Sequence, residues 1–403
     1  MKSAAEMWAP GGAPALFGGA PCRAGAPIGT AQLATPPASV FHELMGWGGS
    51  PYRPGWLVEE LERQLADFHA VRFVVALANA SFGLLAAMSI AAEGRAGAVA
   101  MPSFSYRGLP YIARMLNREI VFIDVHPTDG TLDPEALAVE LGRAEVAAVL
   151  AVHNVDRPAR VQRLGELCAA AGVPIAYDSI YSLGNRVAGR PCGSDGLCEV
   201  YSLHATKLLN GFEGGYLTTN DPAVAARARA WVRGDGPGAV RCPLSPVHAA
   251  AALASLGGIG AVVAGNRARM AAYRSALRGE ARVRLWEPTE GGLAPEHRND
   301  GSVLVEIPEG APLRRDQLVA LLCAEGYLAR PYYGPALHQV PAWRSFARAP
   351  LPVTEYLAPR VLQLPVGCGL TSADAAQVVA LLSRFLDDAA RIQEAFRLTA
   401  GGS

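Results

Sequence analysis

The sequence has no excess of either charge, since 36 Lys and Arg offset 36 Asp and Glu. No net field draws the chain toward nucleic acid or an anionic bilayer, so neither is expected as a partner. Charged residues are scarce at 18%, and no charge block or internal repeat is found. Disorder as the main state is excluded. Cysteine is sparse and unpaired in pattern. The seven, at Cys22, Cys168, Cys192, Cys198, Cys242, Cys323 and Cys368, lack the short spacings of zinc sites and redox motifs, so no metal and a reducing, cytoplasmic setting are expected. The N-terminus has no basic segment followed by an apolar one, so no secretory signal is expected. Nor is a membrane span expected: the uncharged stretch 74–92 contains Asn79, Ser81 and Gly83, and the stretch 249–265 is broken by Gly257, Gly258 and Gly260.

What is present is 51% apolar residues over 403 positions, enough for a well-buried α/β protein of about two domains. Residues 1–54 are rich in Gly and Pro and read as an irregular arm. Residues 57–69 follow as an amphipathic helix, with Leu57, Leu61, Leu65 and Phe68 at helical spacing. Apolar runs at 73–78, 98–101, 120–125, 147–153, 174–178, 200–204 and 216–219 then alternate with helical segments. The pattern predicts a mainly parallel, seven-stranded sheet in a large domain over 55–240. A smaller α+β domain is expected over 241–403, with strands at 302–307 and 327–332 and a last helix carrying Val378, Leu381, Leu382 and Phe385.

The chemistry concentrates at strand ends. Lys207, in Ser202-Leu203-His204-Ala205-Thr206-Lys207, lies just beyond a buried strand, where an amine is desolvated and can form a Schiff base. Asp178 ends another apolar strand, Val173 to Asp178. An acid and a lysine at the ends of adjacent parallel strands are what pyridoxal 5′-phosphate (PLP) requires: the acid keeps the pyridine nitrogen protonated, and the lysine holds C4′. Ala80 and Ser81 open a helix after a strand, as phosphate sites do. Ser202 offers a second hydroxyl, and Tyr106 an aromatic ring to stack on a flat cofactor. All of these lie at carboxyl ends of predicted strands, the edge where open α/β sheets bind ligands.

With Asn79-Ala80-Ser81, Pro102-Ser103-Phe104-Ser105-Tyr106, Phe122-Ile123-Asp124-Val125, Tyr177-Asp178-Ser179, Glu213-Gly214-Gly215 and Leu364-Pro365, the sequence resembles the DegT/DnrJ/StrS family of PLP-dependent sugar aminotransferases. The likeness is nearest to the branch that aminates C4 of nucleotide-linked 4-keto-6-deoxyhexoses. It implies the PLP-dependent transferase fold type I and a homodimer with shared active sites. It also implies transfer of an amino group, with glutamate as donor, to a ketosugar nucleotide. Lys207 would hold PLP covalently, Asp178 would pair with its pyridine nitrogen and Tyr106 would stack on it. Ala80, Ser81 and Ser202 would hold its phosphate.

The sequence departs from the family pattern in several places. Asp178 is followed by Ser179, Ile180 and Tyr181, and Tyr181 stands where a Gln or His usually meets the cofactor's ring hydroxyl. Arg241 stands near the usual partner-chain Asn, as a second phosphate ligand or as a solvated loop charge. Arg107 follows the stacking aromatic, and Asn154-Val155-Asp156 follows His153. Arg330, Tyr332 and His338 are candidates to bind a nucleotide diphosphate or the donor's carboxylate. The departures leave two alternatives open: a non-sugar natural-product intermediate as substrate, or a non-catalytic partner subunit.

Overall fold

The computed structural model of the chain describes residues 7–8, 12–30, 55–143, 145–154, 157–235, 238–287 and 298–400. The Pro36-Pro37 part of the arm and the Val155-Asp156 departure lie outside the described residues. Helix α1 (Trp56–His69) buries Leu57, Leu61 and Leu65 along one face, each worth about 1.5–3 kcal/mol when fully covered.

Seven strands follow, in two groups separated by a short hairpin. The first group is β1 (Phe73–Leu77), β2 (Ala98–Pro102), β3 (Ile120–Ile123), β4 (Val146–Val152) and β5 (Ile175–Asp178). The hairpin is β6 (Arg186–Val187) and β7 (Arg190–Pro191), and β8 (Glu199–Ser202) and β9 (Gly215–Thr219) complete the sheet. The order is β1-β9-β8-β5-β4-β2-β3. The strands are buried on both faces, as parallel sheets covered by helices are. Only β9 opposes its neighbours, pairing antiparallel with β8 and with β1. Because β1 and β8 each oppose β9, they run the same way as β5, β4, β2 and β3. The carboxyl ends of β1, β2, β5 and β8 therefore share one edge.

Helix α2 (Ala80–Ala91) leaves β1 at that edge, capped by Asn79, whose Oδ1 accepts from Phe82 N at 2.9 Å. Further helices are α3 (Leu109–Met115), α4 (Pro134–Arg143), α5 (Val161–Ala170) and α6 (Pro222–Arg233), the last capped by Asp221. Helix α7 (Pro246–Ala276) corrects one expectation: it runs unbroken for 31 residues through Gly257, Gly258 and Gly260. Each interior glycine costs about 1 kcal/mol, but the helix packs against α1 and against a helix near the C-terminus, and that packing offsets the cost. By length and composition alone it could cross a membrane. Its buried residues include Asn266 and Arg269, hydrogen-bonded to each other.

The second sheet has the order β10-β11-β13-β12, from β10 (Arg284–Leu285), β11 (Val303–Glu306), β12 (Arg330–Pro331) and β13 (Val361–Leu364). The strand expected over 327–332 shrinks to two residues, since Pro331 has no N–H to extend the ladder and sits on the sheet edge. Helices α8 (Arg315–Ala324), α9 (Pro352–Leu357), α10 (Ser372–Asp387) and α11 (Ala389–Ala400) complete this half. Arm residues Trp8, Phe17 and Ile28 join its core. The residues between β12 and β13 cross over, and Leu337, Trp343 and Leu351 are buried in the core of the large sheet. There Asp124, just past β3, accepts from Val353 N at 3.0 Å and Thr354 N at 2.8 Å and so caps α9.

Candidate active site

The shared strand edge and the second sheet enclose a cleft of about 400 Å³ lined by Ala80, Ser81, Tyr106, Asp178, Tyr181, Ser202, Lys207, Arg330 and Tyr332, among others. Nine of the twelve residues singled out in the sequence thus come together. Lys207 lies in the loop joining β8 to β9, which is held by Leu203 N to Gly214 O at 2.9 Å and Ala205 N to Phe212 O at 2.9 Å. Buried Leu208 and Leu209 anchor the residues after it. Gly214 has φ +130°, and a Cβ on Gly215 would stand 2.6 Å from Ala80 N. Two glycines therefore let this loop close against the start of α2, bringing the lysine loop and the helix N-terminus into one site.

Asp178 is buried at the end of β5. Burial pushes its carboxyl up to about 6, against the opposing pull of the Ile180 N–H at 3.2 Å and the Lys207 charge. Among the described residues no cation forms an ion pair with this buried acid, and a protonated pyridine nitrogen would supply one, so the residues fit PLP. The Lys207 Nζ sits 4.0 Å from the centroid of the Tyr181 ring. Burial works against ionisation of Tyr181, but the charges of Lys207 and Arg330 and a hydrogen bond from Lys207 outweigh it and hold the phenol below its ordinary value. Tyr106 is 53% exposed at the cleft wall. Its ring covers Gly108, where a Cβ would come within 2.3 Å of it.

Three of the twelve lie elsewhere in this chain. His338 is buried, with Nδ1 2.7 Å from Ser103 Oγ and Nε2 3.2 Å from Glu355, and it ties the crossing segment to the end of β2. Arg107 is exposed outside the cleft. Arg241 is exposed beside Gly234 at the end of α6. Conversely, the cleft contains His204, Glu213 and Gln363, which the sequence reading did not assign. His204 Nδ1 accepts from Thr206 N at 3.2 Å, and its Nε2 faces Glu213 at 3.5 Å.

A larger groove of about 710 Å³ is lined by Asp129, Glu135, Arg160 and Arg163, among others. Four of its charges are paired, Arg160 with Asp129 and Arg163 with Glu135, each at 3.0 Å, and it holds no lysine. The one His, Asp and Glu group close enough for a metal among the described residues is His153, Asp195 and Glu199. Both oxygens of Glu199 are occupied by Ser179 Oγ, Tyr201 Oη and the N–H groups of Gly193 and Asp195 at 2.6–3.0 Å.

A strand-end lysine, a buried acid on the adjacent strand and a helix N-terminus on one parallel-sheet edge define a fold type I PLP-dependent enzyme. The chain belongs to the DegT/DnrJ/EryC1/StrS aminotransferase family, whose model matches residues 48–383, and it is a PLP-dependent aminotransferase. It is 27% identical over 344 residues to the GDP-perosamine synthase of Caulobacter vibrioides, covering 82% of this chain and 91% of that protein. The structure of DesI, solved in the presence of its TDP-sugar product, superposes with a TM-score of 0.87. The two are 33% identical, over 95% of this chain and 98% of that one. PseC of Helicobacter pylori, at 17% identity and a TM-score of 0.82 over 90% of this chain and 100% of that one, shares the fold.

Asp178 also sets a pH dependence. Its folded pKa of about 6 exceeds the ordinary 3.8, so the folded chain holds the proton more tightly than the unfolded one. The stability it contributes is present below pH 4 and is lost as pH rises through 6, up to about 3 kcal/mol. Urea denaturation of cofactor-free protein should show this fall between pH 4 and 7.5. Asp178→Asn should flatten it, and an unchanged slope in that variant would assign the titration elsewhere.

Proposed function

We propose that this aminotransferase moves an amino group from an amino acid, glutamate in the first instance, to the ketone of a nucleotide-linked sugar. The observation that carries the reading is the joint placement of Lys207, Asp178, Ala80, Ser81, Ser202 and Tyr106 on one cleft. The likeness to a GDP-perosamine synthase and to DesI supports the sugar acceptor. Bound PLP supplies the electron sink that lets an amino acid release its α-proton. With the cofactor in place, Asp178 would keep the pyridine nitrogen charged, Lys207 would carry the proton between the α-carbon and C4′, and Tyr181 would orient the ring through its hydroxyl. One lysine serves both halves of the reaction.

The protein acts as a homodimer in which each chain completes the other's cleft. The half-uncovered Tyr106 and the position of Arg241 outside its own cleft support this. Arg241 would reach the cofactor phosphate of the second chain across a two-fold axis. The non-sugar alternative rested on the altered positions Tyr181, Arg107 and Asn154; Tyr181 lines the cleft, whereas Arg107 and Asn154 do not line the cleft of their own chain.

Absorbance spectroscopy tests the reading. Glutamate should convert the bound cofactor to its amino form, and a nucleotide-linked ketosugar should restore the starting spectrum at about 1 per second or faster. Conversion by glutamate with no restoration by any ketosugar nucleotide would overturn the sugar acceptor.

A further inference from the structure

Arg330 on β12 pairs in register with Gln363 on the adjacent β13. The Gln363 side chain, almost fully buried, places its Oε1 against Arg330 Nε, and its Nε2 donates to Ser302 Oγ at 2.6 Å. Arginine has no acceptor, so the amide oxygen must face it and the amide nitrogen must face Ser302. The guanidinium is therefore held in one plane with Nε occupied, which leaves the paired Nη groups, of which Nη2 makes one long contact with Tyr181 Oη, as the edge that faces the cleft. That fork matches a carboxylate. Among the described residues, no acidic side chain forms a salt bridge with Arg330, so a cation lines the cleft without an internal counter-ion. Its Nη2 lies 3.5 Å from Tyr181 Oη, and Lys207 Nζ lies over the same ring. The amine site and the cationic fork thus share one neighbour. An α-amino acid, with its amine one carbon from its carboxylate, has the spacing that such a close pair of sites selects.

We infer that Gln363, anchored by Ser302, is a positioning residue that aims Arg330 at the α-carboxylate of the amino donor. This rests on the aminotransferase reading above and assigns Arg330 to the donor, not to the diphosphate of the acceptor. Losing a hydrogen bond to a charged group costs about 1.5–3 kcal/mol, which corresponds to roughly a 10- to 100-fold loss of affinity.

The test uses the full-length holoenzyme and follows the cofactor spectrum during the half-reaction with L-glutamate. Gln363→Leu should raise the apparent Kd for glutamate about 10- to 100-fold, while the limiting rate and the KM for the ketone acceptor change less than about 3-fold. Gln363→Glu should weaken glutamate further, because its carboxylate neutralises the guanidinium from the Nε side. Ser302→Ala, a smaller change that keeps the fold if Gln363→Leu does not, should weaken glutamate about 3- to 10-fold. A purely structural role would instead lower the limiting rates of both half-reactions together. An unshifted glutamate Kd in Gln363→Leu and Ser302→Ala, or a shift in the acceptor's KM instead, would overturn the inference. A wild-type protein whose cofactor no amino acid converts would overturn the proposed function first, and this inference with it.

Discussion

Lys207→Ala should give a folded protein that retains PLP only non-covalently and has lost amino transfer by at least about 10²–10⁴-fold, the scale of one positioned acid–base group. The side chain is only partly buried, so its removal leaves no large cavity, and thermal stability should stay near that of the wild type. Lys2 and Lys207 are the only lysines in the sequence, which makes the experiment unusually clean. Borohydride reduction of wild-type protein followed by peptide mapping should place the pyridoxyl group on Lys207 and none on the variant. A label that persists in Lys207→Ala would remove this residue from its role.

Asp178→Asn should separate binding from chemistry. The amide fills the same space but cannot hold the pyridinium proton by charge. Cofactor should still bind, as expected if Lys207, Ala80, Ser81 and Ser202 hold it, while the half-reaction should slow on the order of 10²-fold. In cofactor-free protein the same change should be stabilising at pH 7.5, because it removes a buried carboxylate that burial pushes up to about 6. Single-turnover rates near wild type would show that another group supplies the charge.

The site residues that could be read from sequence are those fixed by topology. An apolar run that ends in Asp178, or in Ser202 with Lys207 five residues on, points at one sheet edge whatever its neighbours are. Gln363 was hidden for the opposite reason. It lies inside the apolar run Val361–Leu364, and its partners Ser302 and Arg330 come from 61 and 33 residues away, so only the sheet register joins them. The one signal left in the sequence was an amide in the middle of a buried strand, a position that demands hydrogen-bond partners. His338 misled through its neighbourhood: the surrounding segment reaches the cleft at Arg330 and Tyr332, but the histidine lies farther on, under the large sheet with Ser103. The glycines of α7 misled because propensity favours a break there, while tertiary contacts with α1 and α10 decide the outcome.

The crossing segment between β12 and β13 also bears on how the molecule comes apart. The chain leaves the second sheet after Arg330–Pro331, buries Leu337, Trp343 and Leu351 in the first core, has α9 capped by Asp124, and returns to the second sheet at Val361. Neither sheet can be cut free as a contiguous stretch without exposing apolar surface of the other. The two halves should therefore come apart together rather than in turn, and damage at Trp343 or Asp124 should be felt at the cleft as well as where it occurs.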